Sequence, residues 1–206
     1  MSIYLDNKIE KSTLHAKSGD PLGTYYIADN PTYYEPQRPN NFKFYVEGLS
    51  DKLGIITNDY AKKNADKVIE ISVKNSSVPH FSIGAIALKR GNSTMKFAGT
   101  PELKEGQLQL NDYIGAGTKD ILLAWQRQAY DPVTEKVGLA TDYKHDAYLL
   151  EYTPEYQIVR TWKLHGCWIS GVEEDAYDHD NGGQIKQLTA TIQYDKATVD
   201  SVDSLS

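Results

Sequence analysis

Apolar and polar residues alternate most regularly along residues 185–194. One set of alternate positions is apolar: Leu188, Ala190, Ile192 and Tyr194. The set between them is polar and uncharged: Gln187, Thr189, Thr191 and Gln193. A period of two is typical of a β-strand with one buried face and one face in solvent. We therefore predict a half-buried strand here.

Weaker strand patterns occur elsewhere in the chain. Gly91-Asn92 lies between two apolar runs and predicts the turn of a hairpin. Residues 69–74 alternate apolar and polar side chains and are also predicted to be a strand, whereas the polar residues 48–66 are predicted to be a long loop. Residues 156–169 are predicted to be a long strand with Ile158, Trp162, Leu164 and Trp168 on one side. The other predicted strands are 42–46, 83–88, 94–97, 107–110 and 146–152.

Residues 118–129 carry the only clear helical pattern. Thr118 is the predicted N-cap, and Asp120 lies in the first turn, where negative charge is favoured. Asp131-Pro132 follows, and a proline disfavours helix in the residue before it. The apolar face is spaced as in a helix packed on a core: Ile121, Leu122, Trp125 and Ala129.

The order of these elements predicts a mostly β protein. We expect an antiparallel β-sandwich or partial barrel with one α-helix. Residues 1–41 hold four of the eight prolines and lack steady periodicity, with a short strand-like piece at 23–28. They are predicted to be an irregular N-terminal arm, followed by a β domain at 42–197 and a tail at 198–206.

Composition restricts the function. The 206 residues carry 22 Lys and Arg against 28 Asp and Glu, a net charge of −6. That balance argues against a protein whose main activity is to bind nucleic acid, because such binding needs clustered cations. We expect neither a secretory signal nor a membrane span. The 15 Tyr against 4 Phe suit both strands and protein interfaces.

No group of residues forms a convincing catalytic or metal site. Cys167 lies in an apolar run and is expected to be a small buried side chain. The acidic segment 173–180 departs from the calcium-loop spacing, so a solvated loop is the better interpretation. Residues 115–119 resemble a phosphate loop but lack its Gly-Lys-Ser/Thr order. We expect no enzyme activity and no cofactor or metal.

The polar face of the predicted strand at 185–194 has two interpretations. In a monomer it is simply solvated, but in a ring or tube it lines a wet channel. Its neutral side chains do not bind DNA phosphates. The corresponding polar residues of the predicted strand at 69–74 are further lumen candidates: Glu70, Ser72 and Lys74.

Four segments together resemble the tail tube proteins of contractile-tailed bacteriophages. They are 113–130, the run Trp162-Lys163-Leu164-His165-Gly166-Cys167-Trp168-Ile169, the acidic segment, and 186–195. That family is similar in fold to the tube proteins of type VI secretion systems and extracellular contractile injection systems. The resemblance covers roughly residues 42–197 and rests on diffuse motifs.

The resemblance implies an assembly function. Tube proteins form hexameric rings whose inner sheets join into one β-barrel, and the rings stack into the tube that conducts DNA during ejection. The implied partners are other copies, the sheath protein, the tape-measure protein and, transiently, genomic DNA in the lumen. No membrane is implied, and the location is the virion tail, assembled in the host cytoplasm.

The same resemblance assigns roles to particular segments. The helix is expected to pack Ile121, Leu122 and Trp125 onto a sheet that also contains Trp162 and Trp168, near a subunit boundary. The loop at 48–66 is expected to reach an adjacent ring. The arm and tail are expected to contact neighbouring subunits or the sheath.

Two alternative functions are open from the sequence. The first is a tube subunit of a type VI secretion or extracellular injection system. The second is a carbohydrate-binding β-sandwich with exposed aromatic side chains.

Overall fold

Eleven strands and five helices occur in the part of the chain that the computed structural model describes, residues 35–54, 56, 58–180 and 182–201. All of them belong to one unit, Asn41–Val202. The strands are β1 Phe42–Val46, β2 Val73–Ser76, β3 Phe81–Arg90, β4 Ser93–Leu103, β5 Gly106–Asn111, β6 Tyr130–Asp131, β7 Lys136–Val137, β8 His145–Tyr152, β9 Ile158–Glu174, β10 Gln187–Gln193 and β11 Lys196–Ser201. The helices are α1 Leu49–Lys52, α2 Asp59–Lys63, α3 Ala65–Ser72, α4 Thr118–Ala129 and α5 Ala140–Tyr143.

The long strand β9 organises the main sheet, which has the order β1-β8-β9-β10-β5-β2. The first half of β9 pairs with β8 on one edge and with β11 on the other, so Leu164 lies opposite both Ala147 and Ala197. The second half pairs with β10, where Ile192 lies opposite Ile169. All pairings are antiparallel. The predicted mostly β, antiparallel fold class is therefore confirmed, although the described part of the chain has more than the one helix we expected.

A bulge at Gly166 divides β9. His145 pairs with Cys167 while Ala147 pairs with Leu164, so β9 has one extra residue between these pairs. Gly166 has a φ of +64°, a conformation that glycine adopts readily. Beyond the bulge Cys167 and Ile169 are buried. The prediction that Trp168 shares one face with Leu164 is wrong, because the extra residue reverses the alternation.

Helix α4 has the predicted bounds, Thr118–Ala129. Ile121, Leu122 and Trp125 are all at most 1% exposed, and the Trp125 indole donates a 2.8 Å hydrogen bond to the carbonyl oxygen of Tyr143. Thr118 is not the N-cap as predicted. Gly117 occupies that position with a φ of +68°, and Thr118 starts the helix with its side chain buried.

Two predictions between residues 48 and 74 are wrong. Residues 69–72 belong to helix α3 and not to a strand. Its buried positions, Ala65, Val68, Ile69 and Ser72, have the spacing of one helical face, while Ile71 is exposed. The segment 48–66 is not a projecting loop either, since it contains α1 and α2 and buries Leu49, Leu53 and Ala61 in the core.

The predicted hairpin is present as β3 and β4, joined at Gly91-Asn92. It forms a two-stranded sheet of its own, and its side chains are exposed along nearly the whole length. The base of the hairpin is formed by the residues that flank β3 and β4. There the Lys104 amide donates a 3.1 Å hydrogen bond to the carbonyl oxygen of His80. Among the described helices, none has the length and apolar character needed to span a membrane.

The predicted terminal segments are described only in part. Most of the arm at 1–41, including the strand-like piece at 23–28, lies outside the described residues, as do 202–206. The predicted domain boundary at 197 falls inside β11, which pairs with β9 as far as Ser201.

Candidate assembly surfaces

The alternation of β10 produces two chemically different faces. Leu188, Ala190 and Ile192 are at most 1% exposed and form part of the core. The intervening residues project to the other side and are half-buried: Gln187, Thr189, Thr191 and Gln193. The burial pattern predicted for this strand is therefore present.

The neighbouring strands extend this uncharged surface. Gln107, Gln109 and Asn111 of β5 lie opposite Thr191, Thr189 and Gln187 of β10. Asn75 of β2 lies opposite Gln109. We call these eight side chains of β2, β5 and β10 the neutral face: Asn75, Gln107, Gln109, Asn111, Gln187, Thr189, Thr191 and Gln193.

The members of the neutral face outside β10 were not among the predicted lumen residues. For the three members on β5 the signal is the alternation of polar side chains with Leu108 and Leu110, which are buried. Carboxylates lie at the border of the face. Glu173 of β9 pairs with Thr189, and the Gln193 amide donates to Glu105 at 3.0 Å. The surface thus offers hydrogen-bonding groups with no cation among its eight members to bind a phosphate.

The other predicted lumen residues, Glu70, Ser72 and Lys74, are not placed on a strand beside β10. Glu70 lies on α3 within 2.8 Å of the Lys67 ammonium and 3.1 Å of the Lys43 ammonium. Partial burial opposes ionisation of Glu70, but the hydrogen bonds from Lys67 and Lys43 outweigh it and lower the pKa of the carboxyl.

Ser72 cannot belong to a solvated face of this subunit. Its hydroxyl is buried and lies 3.0 Å from the hydroxyl of Thr118, which links α3 to α4. Lys74 lies at an irregularity in the pairing of β2 with β5.

Three strands of the main sheet have only one neighbouring strand in the described part of the chain. Strand β1 pairs only with β8, β11 only with β9, and β2 only with β5. Along their outer edges β1 and β11 carry backbone N–H and C=O groups available for pairing with another strand. The described strands therefore do not close into a barrel within one subunit.

Aromatic and charged side chains cover the face of β1, β8 and β9 that points away from the core. The rings of Tyr45 and Tyr148 stack with centroids 4.9 Å apart, and the Tyr148 hydroxyl donates to Glu47 at 3.1 Å. The Lys163 ammonium lies 2.9 Å from Asp146 and 5.3 Å from the Tyr148 ring centroid. The hydrogen bond to Asp146 raises the pKa of Lys163.

The acidic segment is partly structural. Glu174 forms ion pairs with Lys119 of α4 at 2.6 Å and with Lys186 at 2.7 Å. The three Asp that follow are exposed and take part in none of the ion pairs among the described residues: Asp175, Asp178 and Asp180. The part of the chain described here contains no cluster of three or more potential metal-ligating side chains.

Cys167 is fully buried, as predicted. Desolvation by this burial raises the pKa of its thiol to about 12, so it is not a nucleophile at neutral pH. His145 is also buried, beside the edge of the Trp125 ring, and desolvation lowers its pKa. Both residues act as packing groups.

No family model matches the chain, and no curated protein matches it by sequence. Its fold, however, matches that of solved structures. A chain of an extracellular contractile injection system, the PVC sheath–tube complex in the extended state, aligns with a TM-score of 0.60 at 14% identity, covering 84% of this chain and 97% of that one. The protein thus shares its fold with components of contractile injection systems.

Two further structures show the same likeness. The PVC sheath/tube terminator aligns with a TM-score of 0.57 at 15% identity, covering 81% of this chain and 97% of that one. The tube-terminating cap of the anti-feeding prophage aligns with a TM-score of 0.55 at 12% identity, covering 81% and 92%. The resemblance predicted from the sequence is confirmed at the level of the fold.

Proposed function

We propose that this protein is a tube subunit of a contractile particle. Copies of the chain close into a ring, and the rings stack into a hollow tube. The resemblance implies six copies in each ring. The observation that carries the proposal is the fold shared with a chain of a sheath–tube complex over 97% of that chain's length. The open edges of β1 and β11 support it, because a ring supplies each edge strand with a partner from the next copy.

The neutral face is the proposed lining of the channel. A conduit has to let its cargo slide, and amide and hydroxyl side chains offer no strong charge to hold it. The four residues nominated from the sequence, Gln187, Thr189, Thr191 and Gln193, remain the central lumen candidates. Gln107, Gln109 and Asn111 join them because they lie on the same face of the sheet.

The kind of particle determines the cargo and the partners. In a phage tail the tube conducts DNA and encloses a tape-measure protein, whereas in an injection system it delivers other cargo. The matched structures come from an extracellular contractile injection system and an anti-feeding prophage. They support an injection-system tube at least as strongly as a phage tail tube. In both cases the sheath protein is the proposed outer partner, and the terminal segments 1–41 and 198–206 are proposed to contact it or neighbouring subunits.

Electron microscopy of the purified full-length chain tests this function. We expect negative-stain images to show rings of uniform diameter with a central pore, and tubes of stacked rings at higher concentration. Sedimentation velocity on the same sample should show a matching large species. A chain that remains monomeric at every concentration tested would contradict the proposal.

A further inference from the structure

The β3–β4 hairpin has an apolar surface that switches faces half-way along its length. Ile83 pairs with Pro101, but Ala85 pairs with Ala98, so β4 has one extra residue at this point. The two strands approach closely here, since a Cβ on Gly99 would lie 2.8 Å from the carbonyl oxygen of Gly84. This bulge divides the hairpin into a half near the base and a half near the tip.

Each half carries its large apolar side chains on a different face. In the tip half Ile86 pairs with Phe97, and Leu88 pairs with Met95. In the base half Phe81 pairs with Leu103, and Ile83 with Pro101. Odd and even residues of β3 point to opposite sides of a strand, so the two apolar patches face in opposite directions.

These patches lack a covering in the described part of the subunit. Phe81 and Ile86 are 62% and 60% exposed, and no hairpin residue belongs to the hydrophobic core or packs against it. Contiguous exposed apolar side chains of this size mark an interaction surface. Two patches on opposite faces require two covering surfaces, as when an element inserts between neighbouring molecules.

The charge of the tip indicates what covers it. The tip half carries Lys89, Arg90 and Lys96 and no carboxylate, although the chain as a whole has a net charge of −6. None of the three cations takes part in an ion pair among the described residues, and all are exposed. Asp175, Asp178 and Asp180 form the complementary set in the same chain, since they too are exposed and outside the described ion pairs.

We propose that the β3–β4 hairpin of one subunit docks onto a second copy of this chain, with its basic tip against the acidic segment 175–180 of that copy. This inference rests on the proposed self-assembly and identifies the contact that sustains it. The donating and accepting surfaces are different parts of the chain, so each copy both donates and accepts. Such a heterologous contact repeats from copy to copy, closing a ring or continuing a stack.

Charge reversal tests the contact in the full-length chain. The first variant carries Lys89→Glu, Arg90→Glu and Lys96→Glu, and the second carries Asp175→Lys, Asp178→Lys and Asp180→Lys. We expect each alone to need at least a tenfold higher concentration to assemble, because like charges then meet at the contact. Equal amounts of the two variants should assemble together. The reversed hairpin of the first variant then meets the reversed acidic segment of the second, and the unaltered hairpin of the second meets the unaltered acidic segment of the first. A variant with all six changes should likewise assemble.

A matched control reverses three other exposed cations: Lys62→Glu, Lys63→Glu and Lys136→Glu. It changes the net charge by the same amount as the first variant and should assemble as the unaltered chain does. Equal assembly of the unaltered chain and both reversal variants would overturn the hairpin contact while leaving the tube function intact. A chain that never assembles would contradict both proposals.

Cross-linking provides a second test that does not depend on charge-reversed variants folding. Arg90→Cys and Asp178→Cys are made in separate chains, and Cys167 stays silent because it is buried. Mixing the two variants with a bis-maleimide should give covalent dimers joining one of each. Arg90→Cys mixed with Glu155→Cys, which replaces another exposed acidic residue, is the control. Equal yields in both mixtures would overturn the contact.

Discussion

At the scale of single residues, Gly166 determines how β9 runs through the main sheet. Its positive φ forms the bulge that carries β9 from its pairing with β8 to its pairing with β10. The space on its Cβ side is filled by the carboxylate of Asp195, whose amide donates to the carbonyl oxygen of His165 at 2.9 Å. Asp195 lies between β10 and β11, so one glycine positions the junction of the two halves of the sheet.

Replacing this glycine should destabilise the subunit. Gly166→Ala places a Cβ against Asp195 and imposes a positive φ on alanine, so we expect the free energy of unfolding to fall by about 1–3 kcal/mol. Denaturant unfolding measures the change. Gly171→Ala in the same strand is the control, because its Cβ would meet only the Thr191 Cβ at 4.0 Å. Equal losses in the two variants would show that the bulge does not depend on glycine.

At the scale of elements, the hairpin differs from every strand of the main sheet. Strands β5 and β10 alternate between core and polar face, whereas β3 is exposed at every position. Its hydrogen-bonded ladder is internal, and only its base is tied to the rest of the chain. The hairpin therefore contributes no side chain to the core and is available for contacts between copies.

Truncating the hairpin should separate folding from assembly. We expect that replacing residues 83–101 by Asn-Gly joins Ser82 to Glu102 through a tight turn, since these two residues are already paired. The free energy of unfolding of the isolated subunit should change by less than about 1 kcal/mol, because no core residue is lost. Sedimentation velocity should show that assembly is lost. A truncated chain that assembles like the full chain would exclude the hairpin from the interface.

At the scale of the whole molecule, the function proposed here belongs to an assembly. The single subunit leaves the edges of β1 and β11 open in its described part and exposes a neutral face whose members are mostly half-buried. In the proposed ring, the edges of β1 and β11 would pair with neighbouring copies and the neutral face would enclose the channel.

Thiol labelling of assembled tubes tests the position of the neutral face. In Thr191→Cys the new thiol should react with a small maleimide in tubes but react at least tenfold more slowly with a maleimide on a large polymer, because the lumen excludes it. Cys167 gives no background, since it is buried with its thiol pKa raised to about 12. Dissociated subunits are the control and should react with both reagents. Equally fast labelling of tubes by the polymer reagent would place Thr191 outside the channel.

The sequence by itself determined the elements whose patterns are local. Strand β10, helix α4 and the turn at Gly91-Asn92 were predictable because their alternation, helical spacing and turn residues lie within a few positions of one another. The resemblance to tube proteins likewise followed from residue patterns. The residues of β10 on the neutral face were predictable for the same reason.

Only the tertiary structure decided features that depend on residues far apart in the chain. Residues 69–72 fit the pattern of either a strand or a helix, and in the structure they end helix α3, where Ser72 is buried against Thr118 of α4. The Asp195 carboxylate occupies the space beside Gly166 where a Cβ would lie, and the pairing of β5 with β10 adds the β5 residues to the neutral face. The hairpin pattern alone did not show that its apolar side chains are left outside the core. Burial is set by what a strand packs against, and a local pattern carries no information about that partner.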